Sequence, residues 1–165
     1  MRTNTLPGNT GIVLQKLSKL NFLQDFYLTG GTALSLQIGH RESQDLDFFA
    51  QEDFYSEELQ RELEKLGNLE SVELDRGTLN CFLDDVKLQF LQYPYPLLEE
   101  KITWENVLIS SKLDIACTKL ITAHILKSLV YFIDADIQPM PRMHEDVSWE
   151  RVKEEIIKTA KGFKI

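Results

Sequence analysis

The chain has 165 residues, 43 % hydrophobic and 27 % charged, with a formal net charge of −8. That length fits one domain with a core of its own, and the residue balance is that of a globular protein. The acidic balance argues against a dedicated high-affinity nucleic-acid binder, which carries a basic face, but leaves room for a local basic cleft.

No apolar run has the length to span a bilayer, and no basic segment precedes an apolar one as in a secretory signal. The expected location is therefore the cytoplasm, with no membrane contact. Cys81 and Cys117 sit in apolar contexts and are expected as small reduced core residues, not as a disulfide or metal pair.

In chain order, Asn9-Thr10 is expected to cap a helix whose apolar positions are Ile12, Val13, Leu17 and Leu20. A short strand is expected over 26–29, then a helix over 32–38 ended by Gly39, then a strand over 46–49. Ser56 caps a helix over 58–66 that Gly67 stops. Three strands follow. The first, 69–74, puts Val72 and Leu74 on one face and Glu73 on the other, before the turn Asp75-Arg76-Gly77. The second, 79–83, ends at the turn Asp84-Asp85. The third, 86–92, alternates Val86, Leu88 and Phe90 with Lys87, Gln89 and Leu91 until Pro94 and Pro96.

A short edge strand is expected over 107–109, and Ser111 opens a helix over 112–122 or beyond. Pro139 and Pro141 break the chain before a last helix over 148–161. There is no internal repeat or low-complexity segment. The expected class is α+β, a mixed or antiparallel sheet flanked by helices. It forms a single domain over 1–165 with a C-terminal helical segment from about residue 112.

The chemistry concentrates in Tyr27-Leu28-Thr29-Gly30-Gly31-Thr32-Ala33-Leu34-Ser35 and in Arg41-Glu42-Ser43-Gln44-Asp45-Leu46-Asp47-Phe48-Phe49. A glycine pair closes an apolar strand and opens a helix. Two aspartates then stand two apart on a second apolar strand. Glycine lets the backbone take positive φ and lets a phosphate approach closely. Thr32 and Ser35 add hydroxyls in the first helical turns, where backbone N–H groups are unpaired. On a strand, Asp45 and Asp47 share one face while Leu46 and Phe48 enter the core. Two carboxylates plus triphosphate oxygens suit Mg²⁺ or Mn²⁺. Either motif alone is most often a turn or a solvated strand end. Together they are more telling, because acids in an apolar strand are costly without a cation.

The string Gly30-Gly31-Thr32-Ala33-Leu34-Ser35, followed by His40-Arg41-x-Ser43-x-Asp45-Leu46-Asp47-Phe48-Phe49, resembles the AbiEii/AbiGii-type toxin family of minimal nucleotidyltransferases. That family belongs to the polymerase-β-like nucleotidyltransferase superfamily. The likeness is specific over 26–49 and looser through 86–96 and 113–120. It implies Mg²⁺-dependent transfer of a nucleotide from an NTP to an RNA or protein acceptor, in some members a tRNA end. It also implies a toxin–antitoxin or abortive-infection setting with an antitoxin partner. Asp45 and Asp47 would be the catalytic, metal-holding pair; Gly30, Gly31, Thr32, Ser35, Arg41, Ser43 and Lys119 would bind the nucleotide.

Lys119, in Leu113-Asp114-Ile115-Ala116-x-x-Lys119-Leu120, reads either as a solvent-facing helix lysine or as a triphosphate contact, and the resemblance favours the contact. Arg41 reads as an ion-pair partner of the acids or a phosphate ligand. His40 reads as local, and His124 and His144 lack zinc spacing. Lys153, Lys158, Lys161 and Lys164 read as a solvated helix face or a basic cleft.

Two departures bear on turnover. Gln89 stands where the superfamily carries a third acid on a neighbouring strand, and Gln cannot take a proton. The Lys-Asp-bearing segment that usually follows the lysine helix is missing, since 121–123 run directly into 124–132. The alternative expectation is thus a degenerate relative, weakly active or inactive, that binds a nucleotide or a partner. Asp84, Asp85 or Glu73 could replace the missing acid if the neighbouring hairpin reached the cleft.

Overall fold

A computed structural model describes residues 1–122, with side chains through Lys119. The elements are α1 (Gly8–Leu17), β1 (Tyr27–Thr29), α2 (Gly30–Ile38), β2 (Leu46–Ala50), α3 (Ser56–Glu64), β3 (Leu69–Asp75), β4 (Thr78–Leu83), β5 (Val86–Gln92), β6 (Ile102–Trp104), β7 (Val107–Ile109) and α4 (Lys112–Thr122). Short 3-10 turns, Thr3–Thr5 and Asn21–Asp25, flank α1. The expectations placed on 123–165, including the last helix and its lysines, lie outside the described residues.

The strands form one seven-stranded mixed sheet in the order β3-β4-β5-β2-β1-β7-β6. The pairs β1–β7 and β2–β5 are parallel, and the other neighbours are antiparallel. The fold is α+β, as the sequence pattern indicates.

Period-two alternation sorts the strand residues between two faces. Leu28, Leu46, Phe48, Leu79, Cys81, Leu83, Leu88 and Phe90 join the main core with Val13, Leu14 and Leu17 of α1, Ala33 and Leu36 of α2, and Leu59 and Leu63 of α3. Phe48 and Phe90, partners across β2 and β5, stack with centroids 5.1 Å apart. On the opposite face Tyr27, Phe49 and Tyr93 form a smaller cluster with Leu91, Leu97 and Leu108. Burial raises the Tyr27 phenol above its ordinary range, and Lys101 Nζ stands 5.4 Å from its ring centroid. Cys81 and Cys117 are free thiols, and burial pushes that of Cys81 up to about 12.

Several sequence expectations are corrected. The first helix opens at Gly8, directly after Pro7, and Thr10 donates to the Gln44 carbonyl (3.1 Å) in place of capping. Pro7 occupies the N-cap position and gives no side-chain cap, while its fixed φ limits the chain's freedom at the helix entry. Ile12, expected in the core, is 55 % exposed, and Leu20 lies beyond the helix. Ser56 is the first residue of α3, and its hydroxyl donates to the Asp75 carbonyl (2.9 Å), tying the helix to β3. The strand over 107–109 is not an edge: β7 lies between β1 and β6, and the unforeseen β6 is outermost.

One turn anchors the hairpin of β4 and β5. Asp84 and Asp85 take φ +48° and +65°, which suits a two-residue hairpin turn. The Asp84 carboxylate then faces Lys16 Nζ of α1 (2.7 Å) and accepts from the Asn68 backbone N–H (3.0 Å).

Candidate functional site

β1 passes directly into α2 at Thr29-Gly30. Thr29 is extended and gives no side-chain cap, and no acid stands in the first turn. The first N–H groups of α2 are therefore satisfied by neither an N-cap side chain nor a first-turn acid, which suits an anion site. Gly30 has φ +68°, a conformation that side chains resist.

Asp47 is the in-register partner of Thr29. Its carboxylate packs so closely on Gly30 that a Cβ there would overlap Oδ2 and stand 3.2 Å from Cγ. At Gly31 a Cβ would meet Arg41 Nη2 at 2.5 Å. The first glycine thus makes room for an acid and the second for a guanidinium. Both side chains come to the same helix start.

Buried hydroxyls brace the loop that carries them. Thr32 Oγ1 donates to the Asp45 carbonyl and shares a 2.8 Å hydrogen bond with Ser43 Oγ. Ser35 Oγ donates to the Thr32 carbonyl (3.0 Å), one turn inside the helix. Thr32, Ser35 and Ser43 are all buried, so the structure uses these hydroxyls to hold 39–45 on α2. Across β1, Ser110 Oγ lies 2.9 Å from Thr29 Oγ1.

Asp45 is exposed and stands one residue before β2, so the aspartate pair straddles the strand end. Burial raises the Asp47 carboxyl above its usual range and the Asp45 charge raises it further, while Lys119 and Lys87 pull it down. Both acids and both lysines therefore share one electrostatic neighbourhood. Lys119 gets there through the start of α4. Ser111 Oγ and the Asp114 backbone N–H are 3.0 Å apart, and Ser111 Oγ is 2.8 Å from Asp114 Oδ2. Asp114 Oδ1 in turn accepts from the Leu98 N–H (2.7 Å), fixing the approach to α4.

The donor set fits a hard cation. The acids supply oxygen only, and a cation would relieve the burial and like-charge cost at Asp47. Among the described residues no three His, Cys, Asp or Glu gather as a ligand set, so ligand oxygens would have to complete a shell.

A family model described as the nucleotidyl transferase AbiEii toxin of type IV toxin–antitoxin systems matches residues 12–115. The chain belongs to the AbiEii family. That match runs from within α1 to the start of α4 and so contains the start of α2, Arg41, Asp45 and Asp47. An uncharacterized protein of Aquifex aeolicus is 40 % identical over 112 residues, 66 % of this chain and 54 % of the relative. The AbiEii chain thus spans about half the length of that relative. Among solved structures, a candidate nucleotidyltransferase from Thermotoga maritima has a similar fold: TM-score 0.51, 13 % identity, covering 77 % of this chain and 92 % of the other. A candidate nucleotidyltransferase from H. pylori gives a TM-score of 0.48 at 22 % identity, over 68 % of this chain and 56 % of that one. Among the described residues no helix is long and apolar enough to cross a membrane.

The AbiEii motif does not include every residue that the fold gathers. Lys87 was overlooked as a charge near Asp47, although its alternation with Leu88 on β5 already placed it on the face of Gln89. Asn80 stands beside Gln89 across the β4–β5 hairpin. Asp84 is held by Lys16 and Asn68, at the α1 side of the hairpin. Glu73 lies in register with Asn80, on the row that contains Gln89.

Proposed function

We propose that the chain is a minimal nucleotidyltransferase that moves a nucleotide from an NTP to a hydroxyl acceptor, an RNA such as a tRNA end or a protein. The observation that carries this reading is the Asp47 carboxylate seated on Gly30 at an uncapped helix start, with Arg41 at Gly31. The triphosphate lies at the first N–H groups of α2, and Arg41 and Lys119 offset its charge. Asp45 and Asp47 would hold Mg²⁺ or Mn²⁺ together with phosphate oxygens, and the ion would supply charge neutralisation at the transferred phosphoryl group. Thr32 and Ser43 keep the acid-bearing loop in place while this charge is handled. Catalysis is then mostly positioning and electrostatics. The toxin family supports an antitoxin partner, and cytoplasmic action fits RNA or protein acceptors.

A second reading, nucleotide binding with little turnover, is favoured by Gln89, which stands in register beside Asp47 where an acid could accept a proton. Loss of such a group costs about 10²–10⁴ in rate. Incubation with each labelled NTP and a cell RNA or protein extract tests the first reading. Incorporation that Asp47→Asn abolishes supports it. A thermal shift from Mg·NTP without incorporation supports the second. Incorporation that survives Asp47→Asn removes this site from consideration.

A further inference from the structure

The two acids are held by different parts of the fold. Asp47 lies inside β2, where the sheet fixes it between Thr29 and Gln89. Asp45 stands one residue before the strand and is exposed, so the main chain of 43–45 sets its distance from Asp47. A cation shared by two carboxylates depends on that distance.

This main chain is gripped from two sides. Thr32 of α2 holds the Asp45 carbonyl and the Ser43 hydroxyl. The other side belongs to the first ten residues. The Ser43 N–H donates to the Thr5 carbonyl (3.1 Å), and Thr10 Oγ1 donates to the Gln44 carbonyl (3.1 Å). Thr5 Oγ1 in turn donates to the Arg2 carbonyl (2.8 Å), and the Arg2 N–H donates to the Leu36 carbonyl of α2 (2.7 Å). The Arg2 stem lies so close over Gly39 that a Cβ there would overlap its Cδ. Residues 2–10 thus form a strap that runs from the end of α2 to the residue before Asp45.

Thr5 and Thr10 are both buried, and each hydroxyl has its partner. Thr10 rides on α1, which Val13, Leu14 and Leu17 anchor in the main core, so its hydroxyl is presented from a fixed platform. The strap precedes residues 12–115, the stretch that the AbiEii model matches.

We infer that Thr10 is a positioning residue for the acid pair: by holding the Gln44 carbonyl, it keeps Asp45 within reach of a cation seated on Asp47. The inference rests on the reading that these two acids hold the metal. Without the hydroxyl, the Gln44 carbonyl turns toward water and Asp45 moves with it. The cation then keeps one protein carboxylate instead of two, while the α2 N–H groups keep the triphosphate.

The test compares Thr10→Val, which keeps the shape and loses the hydroxyl, with Thr10→Ser, which keeps the hydroxyl. Amide hydrogen exchange is measured first, on the full chain without ligand. In Thr10→Val the Ser43 amide should exchange about tenfold faster relative to the amides of β5, and Thr10→Ser should restore the wild-type rate. The second measurement is the Mn²⁺ concentration at half of the thermal shift, with whichever of ATP, CTP, GTP and UTP shifts the wild type most. That midpoint should rise about three- to tenfold in Thr10→Val, stay within about twofold in Thr10→Ser, and rise no further when Thr10→Val is added to Asp45→Asn. An unchanged Ser43 rate, or β5 amides that quicken equally, overturns the strap. A faster Ser43 amide with an unchanged Mn²⁺ midpoint, or with an equal rise in both backgrounds, overturns the positioning role. Absence of any metal-dependent shift in the wild type refutes the acid-pair reading and the positioning role with it, while the exchange rates still decide the strap.

Discussion

Gly30→Ala is the sharpest probe of how this site is built. Gly30 has φ +68°, and an added Cβ would overlap Asp47 Oδ2 and crowd Cγ at 3.2 Å. A non-glycine residue in left-handed backbone costs about 1–2 kcal/mol. Driving the short Asp47 side chain from its place adds about 1–2 kcal/mol, as for modest overpacking. The sum is about 2–4 kcal/mol, or roughly 5–15 °C in Tm for a chain of this size. Urea unfolding should be measured for wild type, Gly30→Ala, Asp47→Ala and the double variant. In the Asp47→Ala background the glycine change should cost only the backbone part, giving a coupling of about 1–2 kcal/mol. A coupling within about 0.3 kcal/mol of zero would mean that Asp47 does not rest on Gly30. A total cost below about 0.5 kcal/mol would refute the left-handed conformation as well.

Three further outcomes are expected. Gly31→Ala clashes with the flexible far end of Arg41, at 2.5 Å from Nη2, and makes an ordinary contact with Ser43 Oγ, so it should unfold within about 1 kcal/mol of wild type while weakening the Mg·NTP thermal shift; an unchanged shift would remove Arg41 from the site. Asp47→Asn should stabilise the ligand-free chain by about 0.5–2 kcal/mol at neutral pH. Burial and Asp45 raise that carboxyl when folded, so ionisation costs stability above its folded pKa and costs nothing below its unfolded one. The gain should therefore vanish in unfolding curves taken below about pH 4, and a gain that persists there would contradict the assignment. Asp84 has the opposite sign: its hydrogen bond from Lys16 and then the Asn68 N–H lower its carboxyl, so its contribution is present above the unfolded pKa and lost as pH falls through the folded one. Being partly exposed, the pair should make Asp84→Asn less stable by about 0.2–1 kcal/mol at pH 7, and by nothing measurable near pH 2; a pH-independent difference would count against the ion pair.

The helix start, the acid-bearing strand and the 86–92 strand were legible because each is written in a local code. Gly30-Gly31 signals a tight turn with close approach. Alternation along Val86–Gln92 signals two faces. Ser111 signals a helix start, and α4 opens directly after it. Boundaries slipped where long-range bonds compete with local ones. Thr10 and Ser56 look like caps, but their hydroxyls are spent on Gln44 and Asp75, far along the chain.

Sequence by itself therefore determined the glycine turn, the helix that follows it and which faces the strands present, since backbone geometry fixes periods of 2 and 3.6 residues. Tertiary structure alone decided who stands beside whom. The parallel pairing of β2 with β5 across an intervening helix and hairpin sets Gln89 next to Asp47. The pairing of β7 with both β1 and β6 encloses it in the sheet, and the β5 register brings Lys87 into the surroundings of Asp47. Strand order is settled by burying Phe48 against Phe90 and their neighbours in one shared core, a collective gain that no short stretch of sequence records.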